Sequence, residues 1–524
     1  MGRLWLYGVN IDWQAFHGDY PGRDRYRVSL PAYPFERQRY WKIIDDYRRG
    51  KYYYLKGAPG YGNRENHDLR HDDVKNDQVQ VMEKTVWYER PQLSTYYVAP
   101  QNEIEEALVK IWQHLFGIER IGIKDDFFEL GGDSLKAVNV LASLHKETNR
   151  LVPLNYFFDN PTIEQVAAYS EAGSNEFVSI QPQEKKEYYP LSSAQKRMYF
   201  FQQVDAGSIA YNNVLANSIA GDIDTQKLST VFKKLIARHE GLRTSFSEIN
   251  GEWVQRIHDS VEFEITGSGQ DDLIKNFIRP FDLSQAPLLR VGLLKQILIV
   301  DMHHIISDGT SLAVLIEEFM MLYQGEELTA LPLQYKDYAA WQNREKEGVL
   351  SRQQEFWLAE FAGEIPVLNL PYDYARPLSR SFSGKTLTFT VGREETSALN
   401  QMASSQGATL YMSLLCLTGI FLARLSGEET VVIGTPIAGR THAELGRIIG
   451  MFVNTLAMKI EPIGEKTVSE FLVEVKEKAL NAFANQDYPY EELVEHLAVD
   501  RNNGRNSLFD TLFALQNVET RAMT

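Results

Sequence analysis

Residues 297–311 read Ile-Leu-Ile-Val-Asp-Met-His-His-Ile-Ile-Ser-Asp-Gly-Thr-Ser, an apolar run followed by two adjacent histidines, an aspartate and a glycine. The run Ile297 to Val300 has the length and β-branched composition of a buried strand. Neighbouring residues on an extended segment point to opposite sides, so one of His303 and His304 can face a cavity while the other packs. The same geometry argues against both holding one metal. A zinc site wants ligands at i, i+4 on a helix or Cys/His clusters, and the chain has neither, so no metal is expected. A Gly-x-Ser-x-Gly elbow, a Walker loop and a Gly-x-Gly-x-x-Gly fingerprint are also missing, which removes the commonest hydrolase, nucleotidase and Rossmann readings.

Outward from this stretch, the sequence after Tyr189 mixes strands such as Ile297–Val300 and Thr430–Ile433 with amphipathic helices such as Leu228–His239 and Val468–Phe483. That mixture predicts an α/β domain over 189–519, in lobes of about 189–365 and 366–519. The apolar run 408–423 is shorter than the ~20 residues a bilayer requires and is interrupted by Thr, Ser and Gly, so it reads as a buried core helix. Cys416 lies within it; a single cysteine forms no internal disulfide, which suits a reducing cytoplasm. The first residues lack the apolar core of a signal peptide.

The chain has 524 residues, 44% of them apolar, so several domains with their own cores are expected. Its 70 acidic and 54 basic residues give a net charge of −16, which excludes a general electrostatic attraction to nucleic acid or anionic lipid.

Ahead of the α/β domain, residues 99–173 predict a small all-helical unit. Ile104, Leu108, Ile111, Trp112 and Leu115 share one helix face behind an acidic first turn, Glu-Ile-Glu-Glu. A second helix starts after Gly131-Gly132, capped by Asp133 or Ser134, and a third follows Asn160-Pro161-Thr162. Gly-Gly permits a tight turn, and the exposed amides of a helix N-terminus suit a phosphodiester on the Ser134 hydroxyl. Residues 42–98 and 174–188 read as linkers, the first rich in charge, Tyr, Gly and Asn without a sustained period. The aromatic clusters Leu4–Trp13 and Tyr33–Trp41 have too little chain around them to form a core alone.

Asp126-Phe-Phe-Glu-Leu-Gly-Gly-Asp-Ser-Leu135, with a helix before it and Pro-Thr-Ile before the last helix, resembles the carrier domains of non-ribosomal peptide and polyketide synthetases, four-helix units. That resemblance implies 4′-phosphopantetheine on Ser134, with Asp133 aiding recognition by a phosphopantetheinyl transferase and Leu135 on the partner-facing surface. His-His-x-x-x-Asp-Gly after a strand resembles the core motif of condensation domains, relatives of chloramphenicol acetyltransferase with a two-lobed α/β fold. Segments Ser192–Tyr199, Arg238–Phe246, Tyr335–Trp341, Ile433–Arg440, Gly450–Leu456 and Gln486–Glu491 match in the family's order.

The resemblance implies amide formation, in which His304 accepts or positions the proton lost by an attacking amine. Asp308 requires a cation if it is buried; the family pattern makes it a structural ion pair, with Arg440 as partner and Arg243 as the alternative. Gly309 lets the backbone approach substrate closely, and His303 is a packed core histidine. An epimerase and a non-catalytic module that only recruits carriers are the alternatives. Residues 1–41 resemble the segment that closes the ketosynthase or ketosynthase-acyltransferase part of polyketide synthases. The expected whole is a piece of a hybrid synthetase for an antibiotic or other secondary metabolite, flanked upstream by polyketide or peptide synthetase domains and downstream by adenylation and acceptor carrier domains.

Overall fold

The computed structural model describes residues 87–148, 150, 152–172, 179–218, 224–266, 277–294, 297–374, 384–497 and 506–516. The aromatic clusters of residues 1–41, and the linker as far as residue 86, lie outside the described residues.

Helix α1, Glu103–Phe116, starts where Asn102 accepts a hydrogen bond from the Glu105 amide (2.8 Å) and ends at Gly117 in the left-handed region. It is followed by α2, Ser134–Thr148, the short α3, Leu154–Asp159, and α4, Ile163–Ala172. The fully buried rings of Trp112, Phe127 and Phe157 meet edge-on and form the centre of this unit. Residues before it are tied down by Arg90, whose Nη2 and Nε donate to buried Asp125 at 2.6 and 2.9 Å. Charge-assisted bidentate pairs of this kind hold direction as well as distance.

The larger domain contains three-stranded sheets in two lobes. In the first lobe β1, Tyr189–Pro190, pairs with β4, Glu252–Ile257, which also pairs with β3, Thr244–Ile249. A second sheet places β6, Ile297–His303, between β2, Asn212–Ser218, and β5, Leu289–Leu294, both antiparallel to it. Six of the seven residues of β6 are buried, as expected of a central strand covered on both faces. Helices α5, Ser193–Val204, α6, Thr225–Arg238, α7, Gly309–Gln324, and α8, Tyr335–Arg344, complete this lobe.

The second lobe contains α9, Val349–Glu360, α10, Arg393–Ser405, α11, Leu410–Ser426, α12, Val468–Ala484, and α13, Tyr490–His496. Its sheet has β7, Val431–Ile437, at the centre, antiparallel to β8, Asn454–Ile460, and parallel to β9, Thr511–Leu512. Cys416 is fully buried in α11, and burial pushes its thiol up to about 12. No single described helix is long and apolar enough to cross a membrane; α10 and α11 reach that measure only as a pair bent by 103°.

The two cores do not divide at one point in the chain. Leu445, Ile448, Ile449 and Phe452 leave the second lobe and pack into the core of the first, beside Leu242, Met302 and Trp341. The lobes are therefore joined through apolar packing as well as through the polypeptide.

A tight constraint sits just before α2. A Cβ on Gly132 would lie 2.2 Å from the Phe127 ring and 2.5 Å from its carbonyl oxygen. Gly132→Ala should therefore destabilise the helical unit by about 1–3 kcal/mol through overpacking. Faster amide hydrogen exchange across residues 103–172, with residues 189–516 unchanged, is the expected observation.

Candidate functional site

The histidine pair sits where a buried strand becomes a turn. The amide of His303 donates to Leu288 O (3.1 Å), closing β6 against the segment before β5, and the chain then turns through the 3-10 segment His304–Ile306. The His304 amide donates to Tyr211 O (2.8 Å), Ser307 Oγ donates to His303 O (3.2 Å), and Asn213 Nδ2 donates to Ser307 Oγ (3.2 Å). The residues at the start of β2 thus hold the turn from one side.

The two rings have different environments. His303 is 1% exposed; its Nδ1 accepts from the Ile305 amide (3.0 Å), which places its proton on Nε2, 3.5 Å from Gln202 Oε1. Burial, reinforced by the neighbouring His304 and Arg290, pushes its pKa down to about 3, so it stays neutral. His304 is half-buried, and its Nδ1 is enclosed without a hydrogen-bond partner among the described residues.

Asp308 caps α7, accepting from Ser311 N (2.7 Å) and Ser311 Oγ (2.8 Å). Arg440 Nη2 donates to both of its oxygens at 3.0 and 3.2 Å, and the Phe452 amide donates to Oδ2 at 3.1 Å. Arg440 is itself engaged: Nη1 donates to Leu445 O and Ile448 O, and the guanidinium lies 4.1 Å from the centre of the Phe452 ring. Gly439 makes this approach possible, since at φ +63° a Cβ would stand 1.9 Å from Phe452 O. Arg243 lies elsewhere, against Glu240 (3.6 Å) and the carbonyl of His258. Gly309 opens α7, and a Cβ there would meet nothing within 4 Å, so no neighbour within the protein requires a glycine at this position.

One buried cluster was not singled out from sequence. Asp301, two residues before His303 on β6, is fully buried and accepts from Asn212 Nδ2 (3.0 Å) and Arg290 Nη1 (3.1 Å). Arg290 stacks 3.6 Å over the Phe281 ring, which meets His303 edge-on. Burial outweighs these partners and pushes the Asp301 carboxyl up to about 6. Its one sequence signal was a charge inside an otherwise apolar strand.

In the helical unit, the Lys136 amide donates to Asp133 Oδ1 (2.9 Å), so Asp133 caps the helix that begins at Ser134. The side chains of Ser134 and Leu135 lie outside what the structure describes. Gly131, Gly132, Asp133 and Lys136 line one wall of a cavity of about 750 Å³ whose other walls include Tyr411, Thr435 and Arg440. No group of three or more potential metal ligands occurs among the described residues.

The condensation-domain family matches residues 185–523, and the phosphopantetheine attachment site family matches residues 106–170. Gramicidin S synthase 2 of Brevibacillus brevis is 48% identical over 438 residues, 81% of this chain and 10% of that protein. Tyrocidine synthase 3 of Brevibacillus parabrevis is 46% identical over 441 residues, 82% of this chain and 7% of the relative. The chain thus spans a tenth or less of the length of these two curated relatives. Among solved structures, the X-domain from teicoplanin biosynthesis in complex with OxyB superposes with a TM-score of 0.60 at 23% identity, covering 65% of this chain and 80% of that one. The condensation domain from Monacolin K polyketide synthase gives a TM-score of 0.57 at 20% identity, covering 63% and 82%. At these identities the structural likeness speaks for the fold.

Two expectations follow from the geometry. Asp308→Asn leaves Arg440 buried without its counter-charge and should cost about 3–5 kcal/mol, seen as a lower unfolding midpoint. A variant as stable as the parent would contradict that account. His303, held neutral down to about 3 when folded but protonating near 6.5 when unfolded, contributes stability that is full above about 6.5 and is lost as the pH falls toward 3. Asp301 works in the opposite sense, losing stability as the pH rises through about 6. Comparing urea midpoints of the parent and His303→Gln across this range isolates the histidine. The parent should lose stability relative to the variant by an amount on the order of 4 kcal/mol.

Proposed function

The chain belongs to the condensation-domain family and carries a phosphopantetheine attachment domain ahead of it, and from that premise we propose that the helical unit of residues 99–173 is the donor carrier for the condensation domain of residues 189–519. The four helices α1–α4 are read as the carrier and Ser134 as the attachment residue. When attached, the 4′-phosphopantetheine arm supplies the thiol that holds the acyl chain as a thioester. The fit rests on the start of α2: Gly132 is forced by the Phe127 ring, Asp133 caps the helix, and both face the shared cavity.

In the condensation, an incoming amine nitrogen bonds to the acyl carbon as the carbon–sulfur bond breaks. The proton that nitrogen gives up balances the departing sulfur, and no oxidant or reductant is involved. We assign His304 to hold or accept that proton, because it is the half-buried ring of the pair while His303 is enclosed and committed to Ile305. Base assistance of this kind contributes roughly 10²–10⁴-fold, whereas alignment of the two reactants can contribute ~7–11 kcal/mol. Asp308 and Arg440 shape the site rather than exchange the proton, and Gly309 leaves room for the backbone to meet substrate. The downstream aminoacyl carrier with its adenylation domain, an activating transferase, an upstream polyketide segment at residues 1–41 and a cytoplasmic location complete the proposed setting.

The carrying observation is the division of labour between the two histidines. His304→Ala should slow single-turnover amide formation by about 10²–10⁴-fold while loading of the carrier is unchanged. Ser134→Ala should abolish the mass added by coenzyme A and a broad-range transferase. Equal transfer rates in the parent and a folded His304→Ala would remove the histidine from the chemistry, and loading that persists in Ser134→Ala would remove the carrier assignment.

A further inference from the structure

Both polar atoms of the peptide unit that joins His303 to His304 are held. Its N–H, on His304, donates to Tyr211 O (2.8 Å), and its carbonyl, on His303, accepts from Ser307 Oγ (3.2 Å). The Ser307 side chain is fully buried and has one proton to give. A carbonyl can only accept, so that proton points at His303 O, and toward Asn213 the hydroxyl must act as acceptor. Asn213 Nδ2 supplies the donor it needs, at 3.2 Å. The direction of the chain, from Asn213 Nδ2 through Ser307 Oγ to His303 O, is therefore fixed by the chemistry of its two ends.

The strand that carries Asn213 is itself anchored. Asn212, its neighbour on β2, lies opposite His303 and donates through Nδ2 to buried Asp301 (3.0 Å) and to Arg279 O (3.1 Å). Asn213 lies opposite Met302, and successive side chains of a strand alternate, so it leaves the sheet on the face away from Asn212 and reaches Ser307 beyond the end of β6. It is half-buried, and Ser307 is its one side-chain hydrogen-bond partner among the described residues.

We propose that Asn213 is a positioning residue for His304: through Ser307 it fixes the His303–His304 peptide, and with it the direction in which the His304 ring meets the reacting amine. The inference rests on the assignment of the amine proton to His304 above. The His304 side chain springs from the Cα that this peptide unit carries, so a rotated peptide misdirects the ring while the two lobes stay folded. A misplacement of about 1 Å can cost about 10²-fold in rate.

The test uses the full chain, its carrier loaded with an acetyl arm from acetyl-coenzyme A by a transferase, and an aminoacyl N-acetylcysteamine thioester as soluble acceptor. Asn213→Ala should lower the maximal single-turnover rate by about 10–10²-fold and leave the half-saturating acceptor concentration within about twofold. Asn213→Asp keeps the shape but presents only acceptors, which would draw the Ser307 proton away from His303 O. Its rate should fall as far, and it serves as the second variant if the alanine does not fold. In a His304→Ala background, Asn213→Ala should change the remaining rate by no more than about twofold, whereas a general weakening of the fold would lower it again. Amide hydrogen exchange needs no turnover: it should become about tenfold faster at residues 304–307 in both variants, with α12 unchanged. A parent-like maximal rate, parent-like exchange at 304–307, a loss confined to acceptor affinity, or an equal further loss in the His304→Ala background would overturn the proposal. If the parent forms no amide with this acceptor, the exchange alone decides. His304→Ala as fast as the parent sinks the His304 assignment and the proposal with it, while a slow His304→Ala beside a parent-like Asn213→Ala sinks the proposal alone.

Discussion

The contact between Asp308 and Arg440 holds the two lobes and the histidine turn in one arrangement. The aspartate caps α7 in the first lobe, and the arginine follows β7 in the second. With both side chains at 5% exposure or less, a large desolvation cost must be offset by geometry. It is offset by saturation: Ser311, Phe452 and Arg440 all donate to the one carboxylate, while Leu445 and Ile448 accept from the arginine. Of these partners, Leu445, Ile448 and Phe452 belong to the segment that crosses from the second lobe into the first core. The ion pair and the apolar crossing therefore reinforce each other, and the loop from His304 to Asp308 is fixed at both ends.

Between those fixed ends, the two adjacent histidines are separated by the change from strand to turn. His303 is still in β6 and inherits the surroundings of a central strand, with Arg290 and Asp301 close by. His304 begins the 3-10 turn and escapes full burial. A charge on His303 would share a dry interior with Arg290, which is why burial and the neighbouring positive groups act together on that ring. The same strand carries Asp301, so opposite tendencies to gain and lose protons sit two residues apart.

Much of this was legible locally. The buried strand before the histidines, the helix after Gly131-Gly132, the buried run containing Cys416 and the helix with the acidic first turn are where periodicity and capping residues placed them. Boundaries moved by a few residues: the strand runs on to His303, and the core helix of 408–423 is found at Leu410–Ser426, because the last turn is decided by packing and by Gly427 in the left-handed region. The short α3 between α2 and α4 had no individual sequence signal beyond its apolar residues, being too brief to show a period.

By itself, then, the sequence marked the strand before the histidines, the longer amphipathic helices and the capped helix start after Gly131-Gly132, and showed that a buried aspartate would require a cation. These depend on interactions within a few residues, which the order of the chain dictates directly. Arg440, which the family pattern put ahead of Arg243 as the partner, reaches Asp308 only through the tertiary structure, since it is 132 residues away and its approach depends on Gly439 passing against Phe452. The tertiary structure also brought the carrier to the second lobe around a common cavity and placed Arg290 beside Asp301. Burial of charge and the shape of a cavity are properties of surfaces meeting in space, and no local pattern in one chain segment specifies which surface will arrive.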